Sequence, residues 1–576
     1  MENIEVARLL DQTADLMEIA GEDGFRIRSY RNAKAVIEGY PERVLDILKD
    51  TARKVTDIPG IGKGMASVLE EIAQRGSFER RDEMLHKYPP TALELLKIQG
   101  LGPKSIRTIY ETFRVSTIDG LERLCLEGKL RELPRMGEKL EQKVLRSIAQ
   151  YRRSSGRFLL NFADSIAKEI VALLAQDGVD SITPAGSLRR GKETAGDVDI
   201  LVAGPRAVEA LDTFVKSPRV AEVLGKGEGK ASARIGVEGI QVDVRAVPVE
   251  SYGAAMQYFT GSKEHNVALR QRAMKMGLTL NEYGLFRLDN EQRVAGATEE
   301  EIYEALELAF IPPEMRENQG EIEAAAERKL PKLVEMSDVR GDVHMHTTAT
   351  DGRATLEEMA AAARAQGLQY IAITDHSKAL AMANGLDEKR VVEFAHRVKE
   401  LDWEALGIRV FSGLECDILR DGKMDIDQDA LAELDVVIAS VHSHMNLEPQ
   451  EMTERLLAAI EHPCVQVIGH PTGRVLLHRD AYAYDFERVA MEAARRGVAL
   501  EINASPERLD IHAALIRMAK AKGCKFTIST DAHHPKHLTN MGYGVKMARR
   551  GWLEAGDILN TLPAVKFLKS LRVKKA

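Results

Sequence analysis

Between residues 339 and 576 a short apolar run alternates with a helical stretch seven times, and the runs end in residues that carry chemistry. The ends are Val343-His344-Met345-His346, Ile371-Ala372-Ile373-Thr374-Asp375-His376, Ser412-Gly413-Leu414-Glu415, Ser440-Val441-His442-Ser443-His444, Val467-Ile468-Gly469-His470, Ala499-Leu500-Glu501-Ile502-Asn503 and Ile528-Ser529-Thr530-Asp531-Ala532-His533. Strands alternating with helices make a parallel sheet, and in a βα barrel every strand's C-terminal end faces the same rim. Imidazoles and carboxylates meeting there are the donors of a metal site. Histidine usage marks a boundary ahead of this region: of 15 histidines, His86 and His265 alone precede residue 340. Ile311-Pro312-Pro313 and the Glu/Ala/Lys-rich stretch 317–336 then read as a helical or semi-rigid linker.

A second constellation lies at Gly186-Ser187-Leu188-Arg189-Arg190-Gly191-Lys192-Glu193-Thr194-Ala195-Gly196-Asp197-Val198-Asp199-Ile200. It reads as a turn, a basic loop and a strand. Asp197 and Asp199 are two apart, so a strand points both carboxylates to one face and Val198 and Ile200 to the other. In Ile240-Gln241-Val242-Asp243-Val244-Arg245 the same alternation offers a third carboxylate, with Arg245 on its face either to orient it or as a plain surface ion pair. Three carboxylates on neighbouring strands repel unless cations sit between them. Two divalent ions held this way activate an attacking oxygen and stabilise a leaving one. The Gly-Ser turn and the two arginines supply donors for a triphosphate.

These residues resemble the nucleotidyltransferase signature of family X DNA polymerases, the polymerase beta group. The resemblance continues at Tyr258-Phe259-Thr260-Gly261-Ser262, at Asn266 and Arg270, and at Asn281-Glu282-Tyr283. It implies Asp197, Asp199 and Asp243 as catalytic metal ligands, the first two for both ions and the third for the ion that activates the primer 3′-hydroxyl. It also implies a nucleotide site: Ser187 and Arg190 on the β and γ phosphates, with Gly186 and Gly196 beside them. Tyr258, Phe259 and Gly261 would pack against the incoming sugar and leave little room for a 2′-hydroxyl. Asn266 would contact the incoming base edge and Arg270 the template strand. Lys263 departs from the family's pattern, which has an acid there, so its contact with base or triphosphate differs.

Upstream, residues 4–20, 30–48 and 158–177 have helical periodicity. Ile58-Pro59-Gly60-Ile61-Gly62-Lys63-Gly64 leads into a helix over 65–75, and Ile98-Gln99-Gly100-Leu101-Gly102-Pro103-Lys104 repeats the pattern. Leu133-Pro134-Arg135-Met136-Gly137 is a degenerate third copy. The pattern resembles the helix-hairpin-helix motif, whose glycines let a phosphate approach backbone N–H groups. Gly60, Gly62, Lys63, Gly100, Gly102 and Lys104 are the DNA-binding candidates, with Arg107 a nearby cation; such contacts position a duplex without reading its sequence. Val68 stands where the polymerase beta group has a lysine that forms an imine with 5′-deoxyribose phosphate. An apolar residue cannot form one, which removes that lyase chemistry unless Lys34 or Lys63 substitutes.

The C-terminal region resembles the polymerase-and-histidinol-phosphatase (PHP) domain. Its pattern carries over to His344, His346, Asp351, His376, Glu415, His442, His470, Asp531 and His533, which would hold up to three ions; His444 and Glu501 fall outside it. In bacterial family X polymerases this module implies a manganese-dependent 3′→5′ exonuclease that also cleans blocked 3′ ends.

The expected architecture is therefore multidomain α+β and α/β. A helical hairpin domain over 1–88 and a second over 89–157 precede a nucleotidyltransferase palm over 158–250 and a thumb over 251–316. A linker over 317–338 leads to a (βα)7-type barrel over 339–576. The expected function is DNA-directed synthesis across short gaps, as in base excision repair, with 3′ trimming. The expected cofactors are Mg2+ or Mn2+ at the palm and Mn2+ or Zn2+ in the barrel. The expected partners are gapped or primer-template DNA and dNTPs, with no membrane and a monomeric protein. A DNA-binding nuclease with a weak polymerase half, a small-molecule phosphatase and a DNA-end scaffold are the alternatives. The net charge of −8 says little against DNA, because it averages over domains and counts metal-binding carboxylates as free. Cys125, Cys416, Cys464 and Cys524 show no paired spacing, which suggests a reducing compartment and no disulfide framework; the resemblance implies a cytoplasmic, nucleoid-associated protein. The acidic, helical N-terminus is unlike a signal peptide, and no apolar run approaches ~20 residues.

Overall fold

Val198, Ile200 and Val202 on one strand and Val242 and Val244 on the next are fully buried, and their alternation makes the core face of a five-stranded sheet. In the computed structural model, which describes residues 1, 3–40, 43–48, 53–98, 100–154, 156–175 and 179–573, the sheet order is Ser181–Pro184, Asp197–Ala203, Ile240–Val247, Lys230–Ile235 and Val220–Lys226. Gln99 and Gln176, placed by the sequence reading in a hairpin and a helix, lie outside the described residues. Helices Leu160–Ala175 and Ala207–Val215 cover the apolar face through Ile166, Ile170, Leu211 and Phe214. The helix expected from 158 starts two residues late, because Phe158–Leu159 pairs as a strand with Thr194–Ala195.

Contacts divide the chain into two units, Met1–Ser155 and Gly156–Ala576. In the first, the hairpin pattern recurs three times with one backbone shape. Each copy has a 3-10 turn, a pair of buried apolar residues and a following helix: Ile58 and Ile61 before Lys63–Arg75, Ile98 and Leu101 before Pro103–Phe113, Leu133 and Met136 before Glu138–Ser154. Gly60 and Gly100 occupy left-handed backbone at φ +91° and +97°, and Arg135 takes the equivalent place at +65°. The third copy is thus a full hairpin with an arginine where the other two have glycine. The periodic stretch over 30–48 belongs to Gly24–Gly39, started earlier by Asp23 accepting from the N–H groups of Phe25 and Arg26, and to the separate short helix Val44–Ile47.

In the second unit, helices Tyr252–Thr260 and Lys263–Lys275, three short antiparallel strands and helix Glu299–Ala305 follow the palm sheet. The stretch expected as a helical or semi-rigid linker is neither one long helix nor a free spacer. It forms the short helix Glu321–Ala326, whose Ile322 and Ala325 join the apolar core around Ile302 and Leu306. Buried Glu321 lies 2.6 Å from His265 Nδ1. Apolar residues at i and i+3 thus find a partner core here.

Seven parallel strands then follow in sequential order: Gly341–Asp342, Tyr370–Ile373, Arg409–Asp417, Val436–Ser440, Val467–Ile468, Ala499–Asn503 and Phe526–Ser529. The first and last edges meet just beyond their ends, where Met345 bridges Ala532 in parallel fashion, so the barrel is nearly closed. Tyr370, Phe411, Ile438 and Val467 fill it and pack on Phe567 of the final helix. The four cysteines are buried and none forms a disulfide. Among the described residues no helix is long and apolar enough to cross a membrane.

Candidate active sites

Parallel pairing sets Asp199 directly beside Asp243, and Asp197 beside Gln241. Burial, then the negative charge of Asp197, pushes the Asp199 carboxyl up to about 6; Asp243 adds to the rise while Arg245 and Lys230 oppose it. Asp243 is held below the usual carboxylate range. Burial opposes this, but Lys230 at 2.6 Å, Ser232 and Gln241 prevail. Carboxylates that raise one another's proton affinity fit a divalent cation, which replaces the proton. Arg245 stands 3.9 Å from Asp199 and 3.7 Å from Asp243, with its guanidinium 4.3 Å from the Phe259 ring centroid. Lys230 was not among the candidates. Its signal is the alternation of Lys230, Ser232 and Arg234 with buried Ala231, Ala233 and Ile235 on the neighbouring strand.

Ser187 lies in the single helical turn Gly186–Arg189, and Arg190 follows it. Arg190 Nε donates to Glu317 Oε1 at 3.2 Å and Nη1 to the Thr260 carbonyl. Gly196 leads into the strand of Asp197, and Gly261 ends the helix that carries Tyr258 and Phe259, whose rings meet edge to face at 5.1 Å. The Asn266 amide is engaged within the protein: Oδ1 accepts from Gln257 Nε2 and Nδ2 donates to the Tyr258 carbonyl, both at 2.7 Å. It braces the segment it was expected to work beside. Lys263 and Arg270 are exposed on helix Lys263–Lys275.

In the barrel, all nine candidates converge on the rim. Three groups have ligand atoms within 4.8 Å of one another: His346, Asp351, His376 and His533; His344, His346 and Asp531; and His376, Glu415 and His442. His470 Nε2 lies 2.9 Å from Glu415. Exposed His444 stays outside these groups. Burial, then the charges of His533 and His376, pushes His346 down to about 3, leaving the neutral imidazole that binds metals. Burial disfavours the charge on Asp531, yet His344, His346 and His533 keep it well below the carboxylate range. His344 Nε2, His346 Nδ1, His376 Nδ1 and His470 Nδ1 are buried without a hydrogen-bond partner among the described residues. His344 Nε2 and His376 Nδ1 face Glu415 at 3.5 and 2.9 Å and His346 Nδ1 faces Asp351 at 3.9 Å, an arrangement of imidazoles and carboxylates that fits bound cations.

Two further carboxylates hold the ligands. Fully buried Glu501 lies 2.7 Å from His344 Nδ1 and accepts the His470 backbone N–H at 2.6 Å. Asp417 hydrogen-bonds His442 Nδ1. Each leaves Nε2 of its histidine available to a cation. Asp417 was legible as the residue two beyond Glu415 on one strand; Glu501 sits at a strand end but outside the family pattern. Glu501→Gln is expected to lower divalent-metal affinity roughly 10–100-fold. Metal retained after equilibrium dialysis measures this, and unchanged retention would remove Glu501 from this role.

At the hairpins, Gly62 and Gly102 cap their helices with open space where a Cβ would sit. At Gly60 and Gly100 an added Cβ would meet Val36 and Leu140 side chains at 3.0 and 2.9 Å. Gly102→Val therefore tests phosphate approach without disturbing the fold. One lost charge-assisted hydrogen bond weakens gapped-duplex binding about tenfold, equally across sequences. Fluorescence anisotropy checks this, and a sequence-selective loss would count against it. A nearby cavity of about 300 Å³ is lined by Arg26, Tyr30, Val68 and Arg80 among others, and by no lysine of the described residues.

A palm with paired carboxylates, three hairpins and a histidine-rich barrel define a DNA-processing enzyme with two separate phosphoester sites. Family models agree: a helix-hairpin-helix domain at residues 1–78, a SAM-like helix-hairpin-helix tandem at 92–150, the DNA polymerase beta thumb at 255–317 and a PHP domain at 342–505. The DNA polymerase/3′-5′ exonuclease PolX of Bacillus subtilis is 35% identical over 562 residues, 97% of each chain. Proteins named probable phosphatases from Syntrophotalea carbinolica and Thermoanaerobacter sp. are 26% and 30% identical over 38% of this chain and 90% and 89% of their own. The chain belongs to the family X DNA polymerases of the bacterial kind that carry a PHP domain.

Proposed function

We propose that the protein adds deoxynucleotides to primer ends in short gaps of damaged DNA, such as base excision leaves, and trims 3′ ends in its barrel. The observation that carries this is the parallel register that sets Asp199 beside Asp243, within one chain that also gathers eight candidate metal donors in the barrel, with His470 beside Glu415. Divalent ions, Mg2+ or Mn2+ at the palm and up to three Mn2+ or Zn2+ in the barrel, would supply the positive charge that both reactions need at attacking and leaving oxygens.

The chain's own residues do the rest. Asp197, Asp199 and Asp243 would fix the cation positions. Ser187 and Arg190 would hold the triphosphate in line, and Tyr258 and Phe259 would wall the sugar pocket against a 2′-hydroxyl, so dNTPs are the substrates. The Asn266 amide stiffens that wall through the Tyr258 carbonyl. Its base contact would require that bond to open. Arg270 and the hairpins would hold gapped or primer-template DNA. In the barrel, Glu501 and Asp417 orient His344 and His442. We place the enzyme, as a monomer, with the nucleoid in the cytoplasm, where four cysteines without a disulfide suit a reducing medium.

A small-molecule phosphatase would leave the hairpins and palm without use, and the probable phosphatases match 38% of this chain. The test is a gapped duplex with dNTPs and either Mg2+ or Mn2+, with primers labelled at the 5′ or the 3′ end. Extension in one lane and 3′ loss in the other is expected. Absence of extension with both ions would overturn the polymerase assignment.

A further inference from the structure

The polymerase loop after Arg189 is gripped from the barrel. Helix Met541–Arg550 lies against Gly191, where an added Cβ would sit 3.3 Å from Lys546 Cβ on a left-handed backbone of φ +67°. Arg550 Nη1 donates to the Arg190 carbonyl at 2.8 Å and to Glu317 Oε1 at 3.1 Å. The same carboxylate accepts Arg190 Nε at 3.2 Å through Oε1, and pairs with Lys192 Nζ at 3.1 Å through Oε2. All four groups are at least half buried: side-chain exposure is 6% for Arg550, 13% for Arg190, 15% for Glu317 and 34% for Lys192. The helix is anchored nearby, by Arg549 on Glu314 at 2.7 Å and by Tyr543 Oη donating to Asp164 at 3.0 Å.

We infer that Glu317 and Arg550 are positioning residues for triphosphate binding, so that a helix of the nuclease barrel completes the nucleotide site of the polymerase. The inference rests on the reading of Arg190 as a phosphate ligand. Its basis is which nitrogens are used. Nε is taken by Glu317 and Nη1 by the Thr260 carbonyl, which leaves Nη2 without a protein partner among the described residues. A guanidinium fixed at two nitrogens presents the third in one direction, where a free side chain would have to be ordered by the ligand itself. Three cations share one carboxylate, so the cluster keeps an excess of positive charge for a polyphosphate. Burial opposes the charge on Glu317, but Arg550, Arg190 and Lys192 hold its pKa below the ordinary value, and it stays an ionised anchor at neutral pH. Arg550 does not touch the substrate; it acts through Glu317 and the Arg190 backbone.

The test uses the full-length protein filling a one-nucleotide gap in Mg2+, with the dNTP concentration varied. Arg550→Met is expected to raise the dNTP KM about tenfold while changing kcat by no more than about twofold, because positioning of the bound triphosphate is lost and the catalytic carboxylates are untouched. Glu317→Gln should behave alike, and Arg550→Lys should recover part of the loss. Gapped-DNA affinity and 3′ trimming should stay as in the parent protein, a pattern that general destabilisation would not produce. In an Arg190→Ala background, Arg550→Met should add nothing further to KM. An unchanged dNTP KM in Arg550→Met, a full additional loss on top of Arg190→Ala, or a parallel fall in trimming and DNA binding would each overturn the inference. If Arg190→Ala itself leaves the dNTP KM unchanged, the underlying assignment of Arg190 fails, and the inference with it.

Discussion

Asp199→Ala is expected to reduce nucleotide addition by about a thousandfold or more, which corresponds to some 4 kcal/mol of lost transition-state stabilisation. The register explains the size. Asp199 shares a ladder position with Asp243 and a strand face with Asp197, so its carboxylate stands between the other two. Removing it separates the remaining acids, and no neighbouring acid of that strand pair faces the gap. Asp197→Ala should behave similarly. Degradation of 3′ ends should persist in both, because the candidate donors of the barrel are a separate set of residues. Primer extension on a gapped duplex measures the first effect, and a 3′-labelled strand the second. Extension that survives in the double alanine variant would sink the palm assignment.

An equally large effect is expected in the barrel. His344→Ala or Asp531→Ala should eliminate 3′→5′ degradation, while synthesis in Mg2+ continues or rises because newly added nucleotides are no longer removed. His344 faces both Glu415 and Asp531 within 3.8 Å, so its loss leaves two buried acids confronting each other. Asp531 lies 3.2 Å from His346 and accepts from Asn503 at 3.1 Å, so removing it frees three ring or amide groups from their common anchor. Mn2+ should support trimming better than Mg2+, because a histidine-rich shell suits it better than the harder ion. The measurement is a time course with both ions on 5′- and 3′-labelled primers. Survival of degradation in both variants, or its loss in Asp197→Ala instead, would end the two-site reading.

What could be read before the structure was local and periodic. The two-residue repeat placed Asp197 and Asp199 on one face, and seven recurring strand ends announced a barrel rim. The partners that arrive from other strands were not readable in this way. Lys230 reaches Asp243 because its strand pairs antiparallel with that of Asp243, and pairing register is not written in one strand's pattern. Glu501 looked like one strand-end acid among several until its side chain met His344, 157 positions earlier. In the first unit, glycine spacing exposed two hairpins clearly and the third only faintly, since Arg135 adopts the left-handed turn without a glycine. The packing of residues 317–338 was hidden because their composition resembles a solvated spacer while a few apolar side chains decide their place.

The barrel closes where its first and last strands meet, and that seam lies within the cluster proposed to trim 3′ ends. The His346 N–H donates to the Ala532 carbonyl at 2.8 Å, between His344 and His346 on one edge and Asp531 and His533 on the other. During synthesis on the ribosome, the palm acids and the hairpins all emerge well before the closing strand. A nascent chain therefore owns the three palm acids while the barrel cluster still lacks an entire wall, and Arg550, which completes the nucleotide site, emerges later still. The order of elements in the chain acts as a clock: neither centre is whole until the last strand and helix of the barrel have emerged.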